Sequence, residues 1–350
     1  MEAHVHPRRR VRALLGWRAR PTRPGRTRTF QPTGDQRGHS RRRTPVEAQV
    51  TDSVDYQLHG ELPSLTSPVL IVSLKGWIDA AESADEAMSA IEGQIDPFPV
   101  ASFDTDVFID YRARRPVMEI RDGRNTNIDW PSIDLYSGQD ANGRDVLILT
   151  GHEPDSAWNR FSVAVRDLCQ RLGVSMMVGL GAYPFPTPHT RPSRLSCTTP
   201  SLDLLQRGDF LRTSVDVPAG TTAVLEQILF GVGIPSITLW AQVPQYIPAM
   251  SYPAASVALL DGLHTIAGLQ FDRRALEQEA IIQRDRLDRL VSRNAEHKDM
   301  VDKLESAYDA TVQPMLPLEP AALREQDIPT PEELAAELEA FLRDSNPDGQ

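Results

Sequence analysis

Four short stretches of this chain are apolar at nearly every position: PVLIVSL (68–74), VLILTG (146–151), VSMMVGLGA (174–182) and SITLWAQVP (236–244). A strand with one wet face alternates apolar and polar residues. A continuous apolar run of this length instead predicts a strand covered on both faces. Segments of helical period lie between and around the four. DAAESADEAMSAIEGQI follows the first and DSAWNRFSVAVRDLCQRLG the second, while GTTAVLEQILFGVG and PAASVALLDGLHTIAGL flank the fourth. That alternation predicts an α/β fold of three layers, α/β/α, around a largely parallel or mixed sheet.

Residues 98–145 break the pattern. VASFDTDVFIDY and PVMEIRDG read as strands, with turn dipeptides Asp122-Gly123 and Asn142-Gly143, and predict a mixed or edge part of the same sheet. From residue 272 no glycine or proline interrupts the chain until Pro314. Leu287, Leu290, Val291, Val301, Leu304 and Tyr308 form a stripe at helical spacing, broken by Asn294 and His297. The predicted organisation is a core domain at 52–270, a long amphipathic helical arm at 271–311 and a linker at 312–329. A C-terminal helix at 330–344, with Thr330 as cap and Pro331 at its first position, and a loose tail at 345–350 complete it.

Charge divides the chain unevenly. Residues 1–50 hold thirteen arginines and three acids, a net of +10; residues 51–350 hold 24 bases and 45 acids, a net of −21. The first 51 residues, rich in Arg, Pro and Gly, have the composition of a disordered arm. One reading is that translation starts later, near Val46 or Val50. So acidic a body repels nucleic acid, which leaves only the basic arm for such a contact. No apolar run reaches the ~18 residues of a membrane helix. The two cysteines, Cys169 and Cys197, form no disulfide framework and no metal-type spacing, so neither metal nor cofactor is expected and the compartment reads as a reducing cytoplasm. Nothing near Cys197 activates its thiol, and a buried structural role is expected.

In open α/β sheets ligands bind beyond the carboxyl ends of the strands. Three such ends here are polar: KGWID (75–79), GHEPDSAW (151–158) and GAYPFPTPHTRPSR (181–194). Their chemistry-bearing residues are Lys75, Asp79, His152, Glu153, Asp155, His189, Arg191 and Arg194. His152, Glu153 and His189 are candidates for acid–base work, Lys75, Asp79, Arg191 and Arg194 are candidates for ligand binding, and the four cations His189, Arg191, Arg194 and Lys75 are candidates for an anion pocket. Structural roles compete with these. Asp79 and Glu82 have capping-box spacing, and Asp155 or Ser156 is placed to cap the next helix. Trp77 and Trp158 read as core plugs. No glycine-rich phosphate loop is present.

Seven fragments in order, GWIDA, YRARRP, IDWP, TGHEPDSAW, LGAYP…PHTRP, GIPSITLWAQVPQY and YPAAS, resemble the proteasome assembly chaperone 2 family in its actinobacterial branch, over roughly residues 55–310. The resemblance implies a three-layer sandwich like that of nucleoside phosphorylases. It also implies a non-catalytic, chaperone-like or scaffolding role through protein–protein contacts, with homo-oligomers and a protein partner on the 272–308 helix. Two departures stand out. Gln245 occupies a position where the branch tends to carry histidine. The chain also ends PDGQ, where proteasome-binding archaeal relatives end in a hydrophobic–tyrosine–any-residue tail, so docking by such a tail is not expected. The alternative reading is a small-molecule enzyme of hydrolase, phosphorylase or ligase type. Convergence of His152, Glu153, His189 and Arg191 on one pocket would favour it.

Overall fold

The computed structural model describes residues 55–312, apart from 213, 248 and 249; the readings made for the N-terminal arm, the linker, the C-terminal helix and the tail fall outside them. In chain order the elements are β1 (Tyr56–Leu58), β2 (Val69–Lys75), a 3₁₀ turn (Ala80–Glu82), α1 (Ser83–Ile95), β3 (Phe98–Phe103) and α2 (Thr105–Phe108). Then come β4 (Val117–Arg121), β5 (Arg124–Asp129), β6 (Ile133–Gln139), β7 (Asp145–His152), α3 (Trp158–Arg171) and β8 (Met176–Phe185). The described part ends with β9 (Leu195–Thr198), α4 (Leu202–Leu205), α5 (Thr221–Gly231), β10 (Ser236–Pro244), α6 (Pro253–Ala267), α7 (Arg274–Val291) and α8 (Ala295–Val312).

The four apolar runs are β7, β2, β8 and β10, and they stand side by side in parallel at the centre of an eight-stranded sheet of order β1-β3-β6-β7-β2-β8-β10-β9. Antiparallel strands complete both edges, so the sheet is mixed. Successive residues of the central strands feed opposite cores. Val69, Ile71, Ile148, Val178 and Leu239 pack with α1, α6 and α7; Leu70, Val72, Leu147, Leu149 and Met177 pack with α3 and α5. This is the expected α/β/α sandwich. In the second core the rings of Phe103, Phe108 and Phe161 cluster at 4.8–6.4 Å between centroids, where aromatic pairs add to area burial.

Three segments depart from the sequence reading. VASFDTDVFIDY is strand only as far as Phe103. Asp104 then accepts the Asp106 N–H at 3.0 Å and starts a helical turn, the local bond by which aspartate competes with strand ladders. PVMEIRDG does not join the sheet: β4 and β5 pair only with each other, around the left-handed Asp122 and Gly123, as a separate hairpin. The arm is two helices rather than one. Asn294 accepts the Glu296 N–H at 2.8 Å and so caps α8, which ends α7 at Val291.

Gly151, which ends the second apolar run, adopts φ +118 where β7 passes β6, and a Cβ there would overlap the Ser132 carbonyl oxygen and approach the Ile133 Cα to 2.9 Å. Both neighbours are backbone and cannot yield. Gly151→Ala is therefore expected to destabilise the protein by about 2 kcal/mol or more, measured by denaturant unfolding.

Candidate functional site

The central strands aim their carboxyl ends at one edge of the sheet. β2 leads to α1 on one face and its neighbour β7 leads to α3 on the other, so their loops part above the sheet, the arrangement that opens a crevice. KGWID and GHEPD form its two sides, joined where the Glu153 N–H donates to the Lys75 carbonyl at 2.8 Å. A cleft of about 260 Å³ lies on the α1 side, lined by Leu74, Lys75, Ile78, Asp79, Glu82 and Asp85 among others.

Asp79 is a helix cap, but not through a capping box. Glu82 is itself left-handed (φ 54) and Asp79 spans the 3₁₀ turn, so that its two oxygens accept the Ala84 N–H (2.8 Å) and the Asp85 N–H (3.0 Å) of α1. Burial raises its pKa above the usual carboxylate value, against the lowering effect of those two bonds. Lys75 pairs with Asp85, another residue lining the cleft, at 2.8 Å. Glu153, 7% exposed, accepts the Thr221 N–H at 2.6 Å and so occupies the positive N-terminus of α5 with the protein's own carboxylate. Trp77 is no core plug. It is 40% exposed and packs against Gly220 beside Glu153, where an added Cβ would come within 3.0 Å of its ring. Trp158, half-buried, donates to the Pro154 carbonyl at 2.6 Å.

Asp155 and Ser156 do not cap α3, whose first turn follows a left-handed Ala157 without a side-chain cap. Asp155 instead holds the loop after α2. It accepts the Arg114 Nε–H at 3.0 Å and the Asp110 N–H at 3.0 Å, while Ser156 donates to the Val107 carbonyl. His152 stands near Arg114 and Lys75. Burial first, and then those two cations, lower its pKa, and its Nδ1 has no hydrogen-bond partner among the described residues.

The proline-rich loop is clamped beneath α7 and α8. His189, 4% exposed, has its Nδ1 2.6 Å from the Tyr246 hydroxyl and its Nε2 3.1 Å from an Asp288 oxygen. Burial lowers its pKa, with Asp288 opposing. Arg191 forks onto Asp309 (2.9 and 2.8 Å) and also meets Glu305 at 3.3 Å. Thr190 donates to Glu305 as well. Arg194 donates to Thr311 and lies 4.6 Å over the Tyr308 ring, whose hydroxyl donates to the Pro192 carbonyl. Thus Lys75, which lines the cleft beside β2, does not share a pocket with His189, Arg191 and Arg194. Lys75 answers α1, Arg191 and Arg194 answer α8, and no hydrogen bond joins any two of His152, Glu153, His189 and Arg191. The acids that satisfy the loop, Asp288, Glu305 and Asp309, sit on a polar helix face that reads in sequence as ordinary solvated surface.

One buried acid escaped the sequence reading. Glu226, the single acid in GTTAVLEQILFGVG, is 4% exposed and accepts hydroxyl donors from Thr198 (2.8 Å) and Thr238. Trp240 Nε1 in turn donates to Thr198 at 3.2 Å. Burial pushes Glu226 up to about 7 and also raises the neighbouring Cys197 thiol to about 11, the reverse of activation. Among the described residues no His, Cys, Asp and Glu group is arranged to hold a metal.

An α/β/α sandwich whose sheet-edge charges are spent on its own caps and clamps defines a class of protein rather than a chemistry. Comparison supplies the family. The model of the PAC2 family matches residues 73–291, and this chain belongs to that family. A protein of unknown function from Corynebacterium glutamicum is similar at 33% identity, with 74% of this chain and 98% of that one covered and a TM-score of 0.70. A Mycobacterium tuberculosis protein of unknown function is 34% identical over 74% of this chain and 90% of its own, with a TM-score of 0.68. A proteasome-assembly chaperone homologue from M. tuberculosis is 27% identical over 67% and 99%, with a TM-score of 0.62. None of the curated proteins matches this chain.

Two outcomes test this account of the site. Asp79→Ala loses both bonds to α1 and is expected to cost ~1–2 kcal/mol in denaturant unfolding, with Asp79→Asn, which retains one acceptor oxygen, falling between it and wild type. Glu226 keeps its proton in the folded state to about pH 7, whereas in the unfolded chain it loses it near 4.5. The folded state thus binds the extra proton between those values, and stability is expected to fall as pH rises through that window, by on the order of 3 kcal/mol. Stability curves for Glu226→Gln should lack this fall.

Proposed function

We propose that this protein acts through protein–protein contacts, as a chaperone-like or scaffolding member of the PAC2 family that self-associates. The observation that carries the reading is the fate of the sheet-edge charges: Glu153 on α5, Asp155 on Arg114, Asp79 on α1 and Arg191 on Glu305 and Asp309. An anion-using enzyme needs such groups facing its substrate. The enzyme reading keeps one supporting feature, the unpartnered His152 Nδ1 beside the crevice.

By likeness to the M. tuberculosis chaperone homologue, the proposed client is a proteasome core subunit. The contact proposed for it is α7, where Ile281 (63%), Ile282 (67%) and Leu290 (49%) lie exposed while Leu276 and Leu287 hold the helix to the body. No helix of the described residues is long and apolar enough to cross a membrane, and both cysteines are free thiols. With that, a reducing cytoplasm is the proposed compartment.

Purified protein mixed with unassembled proteasome core subunits is expected to form a complex visible by native mass spectrometry. Ile281→Asp with Ile282→Asp should abolish it without moving the thermal midpoint. If wild type retains no core subunit, the client assignment is wrong.

A further inference from the structure

We infer that the cleft beside β2 is a binding site for a short aliphatic diamine, which the Ser73 hydroxyl and the carboxylates of Asp79, Glu82 and Asp85 receive. The inference is independent of the protein contacts proposed above.

Ser73 is the observation that points to a ligand. β2 reads Val-Leu-Ile-Val-Ser-Leu-Lys, and its alternate residues Val69 and Ile71 enter the core beneath α1. Ser73 is next on that face, so a hydroxyl stands where the alternation calls for an apolar side chain. It is 8% exposed and lines the cleft, and among the described residues its hydroxyl has no hydrogen-bond partner. Two other buried serines around α1 are satisfied. Ser83 donates to the Ala80 carbonyl at 2.9 Å, and Ser256 donates to Glu86 at 2.6 Å. A buried hydroxyl without a partner is costly, and in a native fold it calls for an explanation. The cleft of about 260 Å³ gives such a partner room to sit.

Charge sets the class of that partner. Asp79, Glu82 and Asp85 line the cleft against the single Lys75, so three carboxylates and one ammonium leave a net of −2. The positive end of α1 offsets about half a charge of this. Lys75 is already paired with Asp85, whereas the Glu82 carboxylate makes no hydrogen bond or ion pair to a described residue. Ala81 and Glu82 both adopt left-handed backbone (φ 58 and 54), and the turn that holds Glu82 at the rim is strained in that sense. An anion is repelled here, and a zwitterion leaves the excess acid unanswered. The described residues hold no group of His, Cys, Asp and Glu arranged for a metal ion. The remaining walls are apolar: Leu74, Ile78 and Leu180. A chain of methylenes fits those walls, and an ammonium at each end answers the two uncompensated charges. An ammonium also donates three hydrogen bonds, one of which the Ser73 oxygen can accept.

Titration calorimetry of the full-length protein with 1,5-diaminopentane tests this. Wild type is expected to bind one equivalent, more weakly as salt rises. Glu82→Gln should lower the affinity by on the order of tenfold or more, the loss of one charge-assisted hydrogen bond. Ser73→Ala should weaken binding as well, yet its ligand-free thermal midpoint should be no lower than that of wild type, because the hydroxyl it removes has no partner to lose. 1-Aminopentane, with one ammonium, should bind far less tightly than the diamine. Four results would overturn the inference. Wild type takes up no diamine at millimolar concentration. Glu82→Gln and Ser73→Ala both bind as wild type does, which puts the amine elsewhere on the acidic body. The monoamine matches the diamine, which removes the need for two acids. Ser73→Ala lowers the ligand-free midpoint, which makes the hydroxyl a structural group.

Discussion

Everything in this fold follows from four parallel strands that are apolar on both faces. Val69, Leu70, Ile71 and Val72 are buried in immediate succession, as are Val146 to Leu149, so neither face of the sheet can meet water. Parallel neighbours also require a crossover between strands, and the crossovers supply the two helix layers that do the covering. Strands covered in this way have only their ends for polar chemistry, and at the carboxyl ends the chain places nearly all of its candidate functional residues.

What those ends do is set by electrostatics at low solvent exposure. A buried carboxylate is tolerated only with donors around it, and the nearest donors are the free N–H groups of helix starts. Asp79 finds them at α1 and Glu153 at α5; Glu226, without such a terminus, relies on two threonine hydroxyls and keeps its proton to about pH 7. On the other side, Arg191 cannot shed its charge, and α8 brings Glu305 and Asp309 to meet it. Asp79, Glu153, His189 and Arg191, which look like part of a catalytic set in sequence, thus serve as joints that hold β2, β7, the proline-rich loop and the last helices together, while His152 does not. This PAC2 protein also leaves apolar groups exposed, Met118, Ile120 and Ile128 on the hairpin and Ile281, Ile282 and Leu290 on α7.

The sequence by itself determined the layers. Unbroken apolar runs and helical periods located all four central strands, α1, α3, α5 and α6 and the sandwich they form, because double-sided burial leaves a one-dimensional trace. It also located the joints, since KGWID, GHEPD and PHTRP follow directly from where strands end, and seven ordered fragments carried the family. Only the tertiary structure decided which partner each charged residue takes. The spacing of Asp79 and Glu82 suggests a capping box, yet the left-handed Glu82 moves the cap to Ala84 and Asp85. The break at Asn294 looks like a flaw in a long helix, yet it lets α8 fold back with Glu305 and Asp309 facing Arg191, more than a hundred residues away. Hydrophobic burial depends on period and is written locally, whereas an ion pair depends on which distant segment arrives within a few ångströms, and no local pattern encodes that.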